Sequence, residues 1–278
     1  MEKISRKSFV KGALGLGAVG ILAGCASSAS STAASASSTA APAEKKEFTF
    51  ADTVRWDAQY DVVVMGMGAA GMVAAKTAAD NGAKVVIVEK CEEGKAGGNT
   101  KVCGQLFAYA NGDKDAAKSY YTALAGGRDI EPEIIDAISE GVANMADILA
   151  DEFGFNKDEY MDWTGVNVVG TNMGAMSPEY PEMPGHEKMA LWTTHAGASD
   201  GYLYQGLKQN VTDRVDAIDV WYSSPAKSLI QDPVTKTVVG VTVERDGKEM
   251  NIRALNGVCI CTGGFENDSA TRRWCSTT

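Results

Sequence analysis

Residues 61–89, DVVVMGMGAAGMVAAKTAADNGAKVVIVE, constrain the fold more than any other stretch of this chain. A short apolar run over 61–65 leads straight into Gly66, Gly68 and Gly71, spaced G-x-G-x-x-G. A helix is expected over 72–81 and a second strand over 84–88, with Glu89 at that strand's end. Each glycine has its own physical task. Gly66 turns the chain sharply out of the strand. Gly68 removes a Cβ so that backbone can approach a pyrophosphate. Gly71 lets helix and strand pack closely. The helix N-terminus offers N–H groups and a positive dipole end to phosphates, and Glu89 can accept from a ribose hydroxyl pair. Strand, turn, helix, strand and acid fall in register, which predicts dinucleotide binding.

The first 25 residues read as a targeting segment. Residues 5–11, SRKSFVK, resemble a twin-arginine export motif with lysine in the second arginine position. The apolar stretch over 12–24 is too short to span a bilayer. Residues 22–25, LAGC, resemble a lipobox, so Cys25 is expected to carry lipid and become the mature N-terminus. Residues 26–43 are almost entirely Ser, Ala and Thr. They cannot bury enough apolar surface to offset their ordering entropy, and read as a disordered tether. A polar lead-in carries that tether to residue 56, and the folded domain is expected over 57–278.

The net charge is −10 over 278 residues, and the leader holds four of the basic residues, Lys3, Arg6, Lys7 and Lys11. An acidic mature surface argues against nucleic acid and against anionic membrane as partners. The cysteines are Cys25, Cys91, Cys103, Cys259, Cys261 and Cys275, without C-x-x-C or C-x-x-C-H. That spacing suggests neither a metal centre nor covalent haem. Cys259 and Cys261 fall in an apolar run and read as buried free thiols.

Beyond Lys90 comes a loop with Gly97-Gly98-Asn99-Thr100 and then Gly104-Gln105. Helices are expected over 113–125, over 131–153 and over 201–212. Pro132 fits the first position of the second, and Gly154 its C-terminal cap. Residues 156–198 read as irregular; His186 and His195 there are treated as ordinary hydrogen-bonded residues. Strands are expected over 217–222, 226–231, 238–244 and 249–255, forming an antiparallel meander with turns at Asp232-Pro233 and Asp246-Gly247. A separate buried strand over 257–261 then rejoins the parallel sheet and runs into Thr262-Gly263-Gly264. A further helix is expected over 269–274.

The dinucleotide motif ending in Glu89, the GGNT turn at 97–100, the meander and the CICTGGFEND segment together resemble the FAD-binding domain of the fumarate reductase/succinate dehydrogenase flavoprotein family. The resemblance covers residues 57–270. It implies an α/β fold: a Rossmann-like FAD-binding domain of the glutathione-reductase type, with a parallel sheet and a small antiparallel β-meander. It implies FAD as cofactor. Gly66, Gly68, Ala70 and Gly71 are expected at the pyrophosphate, and Glu89 at the adenosine ribose with Lys90 beside it. Gly97, Gly98, Asn99 and Thr100 are expected at pyrophosphate and flavin, and Gly104 and Gln105 near the reactive ring nitrogen. Ala226 is expected at adenine, and Thr262, Gly263 and Gly264 over the adenosine side.

The resemblance further implies an oxidoreductase reducing the C=C bond of a small unsaturated carboxylate. The protein is expected on the extracytoplasmic face, anchored through Cys25. Its electrons are expected from a separate cytochrome or membrane donor. The family's capping domain, which supplies the carboxylate clamp and proton donor, has no counterpart before Thr278, so no catalytic residue is assigned and the chain reads as truncated. Two other readings stand beside this one: a non-catalytic remnant, and a 3-ketosteroid dehydrogenase-like flavoenzyme. An NAD-dependent enzyme is disfavoured by the GGNT and TGGF elements.

Overall fold

A computed structural model describes residues 48–165, 179–197 and 200–264. The export segment, Cys25, most of the tether and the expected 269–274 helix lie outside the described residues. The lead-in to the domain is ordered from Phe48: Phe50–Thr53 forms a 3-10 turn, and the Trp56 indole donates to Ala51 O at 2.7 Å. Fold therefore begins inside the stretch expected as tether.

The main sheet has six strands in the order β6-β2-β1-β9-β8-β7. These are β1 Ala58–Met65, β2 Val85–Val88, β6 Ile218–Trp221, β7 Ala226–Gln231, β8 Val238–Arg245 and β9 Lys248–Ile260. β6, β2, β1 and β9 run parallel; β8 and β7 continue antiparallel from β9. Side chains alternate across the pleat. Val62 and Val64 therefore enter one core with Val85, Ile87, Met72 and Leu207, while Val63 enters another with Val86, Val241 and Ile252. Both faces of the central strands are covered, which is why residues 85–88 read as an unbroken apolar run.

Six α-helices are described: α1 Ala69–Asp80, α2 Gly98–Val102, α3 Lys114–Leu124, α4 Pro132–Ala143, α5 Met145–Phe153 and α6 Tyr202–Thr212. Helix α1 packs on α6 through one charged clamp. Asp80 accepts from Lys76 Nζ at 2.8 Å and from Arg214 Nε at 2.5 Å. The Arg214 guanidinium, with Lys76 beside it, holds the Asp80 carboxyl below its ordinary range.

Several expectations need correction. The helix expected over 131–153 is two helices, broken at Asn144. The last-turn carbonyls of α4 are taken by another segment: Ala110 N–H donates to Val142 O and Gly112 N–H to Ala143 O. The strand expected over 217–222 is not part of the meander. It pairs parallel to β2, with Val85 opposite Ile218. It follows helix α6, so the pair obeys the rule that parallel neighbours need a long crossover. The two strands expected over 249–255 and 257–261 are one, β9. A bulge between the Tyr60–Ala254 and Val62–Gly257 pairs lets its first half pair with β8 and its second half continue along β1. The end of β9 is also less covered than expected: Ile260 is 62% exposed.

The region over 156–198 is not wholly irregular. A second, three-stranded antiparallel sheet, β3-β5-β4, joins β3 Phe107–Tyr109, β5 Ala190–Thr193 and β4 Met161–Asp162. Among the described residues, no helix is long and apolar enough to cross a membrane.

Candidate cofactor site

The G-x-G-x-x-G turn lies where β1 ends and α1 begins, and two of its glycines are fixed by the protein itself. Gly66 has φ +99°, a backbone state L side chains rarely adopt, and a Cβ there would stand 2.5 Å from Cys261 O. A Cβ on Gly71 would stand 1.9 Å from Gly66 O. Gly68 differs. It sits at φ −78°, ψ −177°, ordinary extended backbone. The nearest atoms to its Cβ position are Thr100 Oγ1 at 3.6 Å and Gly97 O at 3.9 Å, plain van der Waals contact. No protein packing demands glycine at 68.

Side chains from two sides knit this turn. Glu89, 6% exposed, accepts the Met67 N–H on Oε2 and the Cys91 N–H on Oε1, both at 2.8 Å. Its own carbonyl accepts from Ser224 N–H, which ties the approach to Ala226 to the same place. Thr100 Oγ1 accepts the Ala69 N–H at 2.9 Å, joining the GGNT turn to the first residue of α1. At Gly97 a Cβ would stand 2.5 Å from the Tyr204 ring, so that glycine seats the turn on α6. Met65 O accepts from Cys261 N–H, which sets Thr262, Gly263 and Gly264 beyond the end of β1.

The structure thus brings together Gly66, Gly68, Gly71, Glu89, Gly97 and Thr100, with Thr262 to Gly264 alongside and Ala226 close in sequence to the Ser224–Glu89 bond. Ala70 lies exposed in the first turn of α1, Gly98 and Asn99 are exposed on α2, and Gly104 is half-buried after it. Lys90 is exposed beside the buried Glu89. Glu89 already serves two backbone donors, a structural duty the sequence did not reveal; each carboxylate oxygen keeps a further lone pair for a ribose hydroxyl. Glu89→Gln is expected to lower stability by about 1.5–3 kcal/mol, since an amide can accept only one of the two N–H groups. Thermal unfolding of the purified variant measures it; an unchanged Tm refutes the tie.

Gln105 is 1% exposed and holds φ +62°, a left-handed conformation for a non-glycine residue. Its Nε2 donates to Thr100 O at 2.9 Å and Cys103 O at 3.0 Å. Those partners accept and do not donate, so they fix which end of the amide is nitrogen. Its Oε1 is buried without a hydrogen-bond partner among the described residues. A buried acceptor left so costs about 1–3 kcal/mol. The hydroxyl of Thr194, itself 1% exposed, also has no hydrogen-bond partner among the described residues. Sequence reading missed Thr194 altogether, because nothing in a bend after a short strand distinguishes it.

Nearby, His195 Nε2 lies 2.7 Å from Asp200 Oδ2, and its ring stacks on Tyr202 at 4.1 Å. The Tyr202 N–H, with His195, holds the Asp200 carboxyl below its ordinary range. The thiols of Cys259 and Cys261 are free and half-buried, and burial pushes both upward, so they stand protonated at neutral pH. A separate cleft of about 570 Å³, between α5 and α6, is lined by Phe153, Phe155, Tyr202 and Asn210 and shares no residue with the turn.

Residues 61–278 match the model of a family described as FAD binding domain. The chain belongs to that family. The FAD binding domain is 30% identical over 220 residues to an NADH:fumarate oxidoreductase of Klebsiella pneumoniae (strain 342), covering 76% of this chain and 21% of that protein. It is 24% identical over 281 residues to a 3-oxosteroid 1-dehydrogenase of Comamonas testosteroni, covering 78% and 48%. Among solved structures, 3-ketosteroid Δ1-dehydrogenase from Sterolibacterium denitrificans superposes with a TM-score of 0.63 at 20% identity, covering 78% of this chain and 50% of that one. The open conformation of a flavocytochrome c3 fumarate reductase gives 0.56 at 20% identity, covering 76% and 34%. Both likenesses concern the fold. The chain spans between a fifth and a half of the length of the curated relatives named here. Its cofactor is FAD. The residues fit that molecule: an unobstructed Gly68, a helix start, a buried acid at the end of β2 and a buried amide oxygen lacking a donor.

Proposed function

We propose that this domain is the flavin-holding part of an exported oxidoreductase that reduces the C=C bond of a small unsaturated carboxylate. The observation that carries it is Gly68, free of protein contact closer than 3.6 Å at its Cβ position and facing Thr100 and Gly97. In this reading Gly66, Gly68, Ala70 and Gly71 cradle the pyrophosphate at the start of α1. Glu89 takes the ribose, with Lys90 at the rim. Gly97, Gly98, Asn99 and Thr100 contact pyrophosphate and flavin, Gly104 and Gln105 approach the ring, Ala226 meets adenine, and Thr262, Gly263 and Gly264 close the adenosine side. Bound FAD supplies two-electron chemistry at its ring. The residues of this chain bind it, orient it and shield its phosphates from water.

The carboxylate reading rests on the likeness to an NADH:fumarate oxidoreductase and on the sequence resemblance to fumarate reductases. Electrons come, in this proposal, from a separate cytochrome or membrane donor. Export rests on the 5–11 motif and lipid attachment on Cys25, with the domain over 57–278 held at the extracytoplasmic face. A second reading, oxidation of a 3-ketosteroid, is favoured by the 3-oxosteroid 1-dehydrogenase relative, of which the chain covers 48%.

One assay separates them. The whole oxidoreductase of which this domain is proposed to be part, loaded with FAD and supplied with reduced methyl viologen, is expected to oxidise the dye when fumarate or an aryl acrylate is added. With an oxidised acceptor dye such as dichlorophenolindophenol in place of the viologen, dye reduction on adding a 3-ketosteroid, together with silence from every alkenoate in the viologen assay, selects the second reading.

A further inference from the structure

The cleft between α5 and α6, about 570 Å³ in volume, takes no part in holding the cofactor, yet its walls have a definite chemical preference. Three amide side chains of α6 line it, Gln205, Gln209 and Asn210. Each is anchored to the protein by its nitrogen. Gln205 Nε2 donates to Asp200 O at 3.3 Å, and Gln209 Nε2 to Asp213 Oδ1 at 2.7 Å. Asn210 Nδ2 donates to Phe153 O and Gly206 O, both at 3.0 Å. All four partners accept and do not donate, so they fix which end of each amide is nitrogen. Anchoring the nitrogen leaves the carbonyl oxygen as the freer end of each amide, and that end is an acceptor.

The charges of the cleft agree. Asp151, Glu152 and Asp213 add three carboxylates, and no Lys, Arg or His is among the residues that line it. Two neighbouring cations are committed elsewhere: Arg214 to Asp80 and Asn210 O, and Lys157 to Asp147, with Asp151 a longer 3.8 Å from it. Helix α5 also ends here, with Asp151, Glu152 and Phe153 as its last residues, so the negative end of its dipole adds to the same field.

The cleft has an apolar corner as well. The rings of Phe155 and Tyr202 meet at 6.0 Å and 59°. Gly206 makes room for that corner, because a Cβ there would stand 2.4 Å from the Phe155 ring. The Phe153 ring, also part of the lining, already carries the Lys76 ammonium at 4.9 Å, so a cation–aromatic contact is formed within this wall.

We propose that this cleft binds a small organic ammonium on an aromatic or alkyl body, with its charge among Asp151, Glu152 and Asp213 and its body against Tyr202 and Phe155. An ammonium has three donors and no acceptor, which matches carboxylates and amide oxygens. An anion would meet three like charges, and a neutral hydrocarbon would leave them unserved. The volume suits such a ligand, since small-molecule sites run to about 300–1,000 Å³. The proposal stands apart from the FAD reading, because the cleft shares no residue with the glycine turn.

The test titrates the full chain, with and without FAD, by calorimetry. The probes are 2-phenylethylammonium chloride and 2-phenylethanol, which has the same body and no charge. The ammonium is expected to saturate the protein with a Kd of about 1 mM or tighter, and to bind about tenfold or more tightly than the alcohol. Raising NaCl from about 0.05 to about 0.5 M is expected to weaken it severalfold. Asp151→Asn, Glu152→Gln and Asp213→Asn are each expected to weaken it about two- to fivefold, and the triple variant about tenfold or more. Tyr202→Ala is expected to weaken it about two- to tenfold. All four residues are exposed, so thermal unfolding of these variants is expected to stay near that of wild type. Equal affinity for ammonium and alcohol, a triple variant that binds as wild type does, or no saturation by about 10 mM overturns the proposal. Tighter binding of Nα-acetyl-lysinamide than of phenylethylammonium overturns the free-amine assignment and gives the cleft to a lysine of a partner protein. Flavin uptake is read separately, from absorbance, so failure of the FAD assignment and failure of this proposal are told apart.

Discussion

Gly68→Val is expected to release FAD while leaving the domain folded. The backbone at this residue, φ −78° and ψ −177°, suits a β-branched side chain. The nearest protein atom to its Cβ position is 3.6 Å away, so the fold loses little. The methyl groups enter the space reserved for the pyrophosphate, and overpacking of that kind costs about 1–3 kcal/mol, up to roughly a hundredfold in affinity. The ratio of flavin absorbance to protein, with thermal unfolding of the apo form as control, reads both halves. A variant that keeps normal FAD content shows that phosphates do not pass over residue 68.

Gly71→Val, three residues on, is expected to do the reverse. Its Cβ would overlap Gly66 O at 1.9 Å and approach Gly66 C at 3.0 Å. Both are backbone atoms of the turn, so no side-chain rotation relieves the contact. Helix α1 must be pushed off β1, through a core in which Met72 and Ala75 are fully buried. A cost of about 3 kcal/mol or more is expected, a fall in Tm of roughly 6–12 °C for a domain of this size. The loss should appear without flavin present. If Gly71→Val matches wild-type stability and only FAD is lost, the division of labour between the two glycines is wrong.

Much of this site was legible because its signals are local. Strand, turn and helix over 61–80 are contiguous, and the constraint on Gly71 comes from Gly66 within the same turn, although that on Gly66 comes from distant Cys261. The hairpin turn at Asp246-Gly247, with φ +51° and +72°, was legible for the same reason. What was missed came from distant chain. The break at Asn144 depends on carbonyls claimed by residues 110 and 112. The β3-β5-β4 sheet joins strands of two to four residues separated by long stretches, too short for any periodicity to register. The placement of 218–221 beside β2 is a matter of crossover, and the apolar run itself fits either sheet position.

From its residues alone the chain set the α/β class, dinucleotide binding and the glycine turn, since these follow from short-range sterics and from the contiguous pattern of apolar and small residues; FAD in particular came from the family resemblance. The tertiary structure decided the rest: that Glu89 braces two loops, and that Gly66 and Gly71 answer to backbone while the Cβ position of Gly68 meets only ordinary van der Waals contact. The Glu89 brace and the Gly66 contact join Met67 with Glu89 and the turn with Cys261, partners brought together only when the strands pair, and no local pattern encodes them.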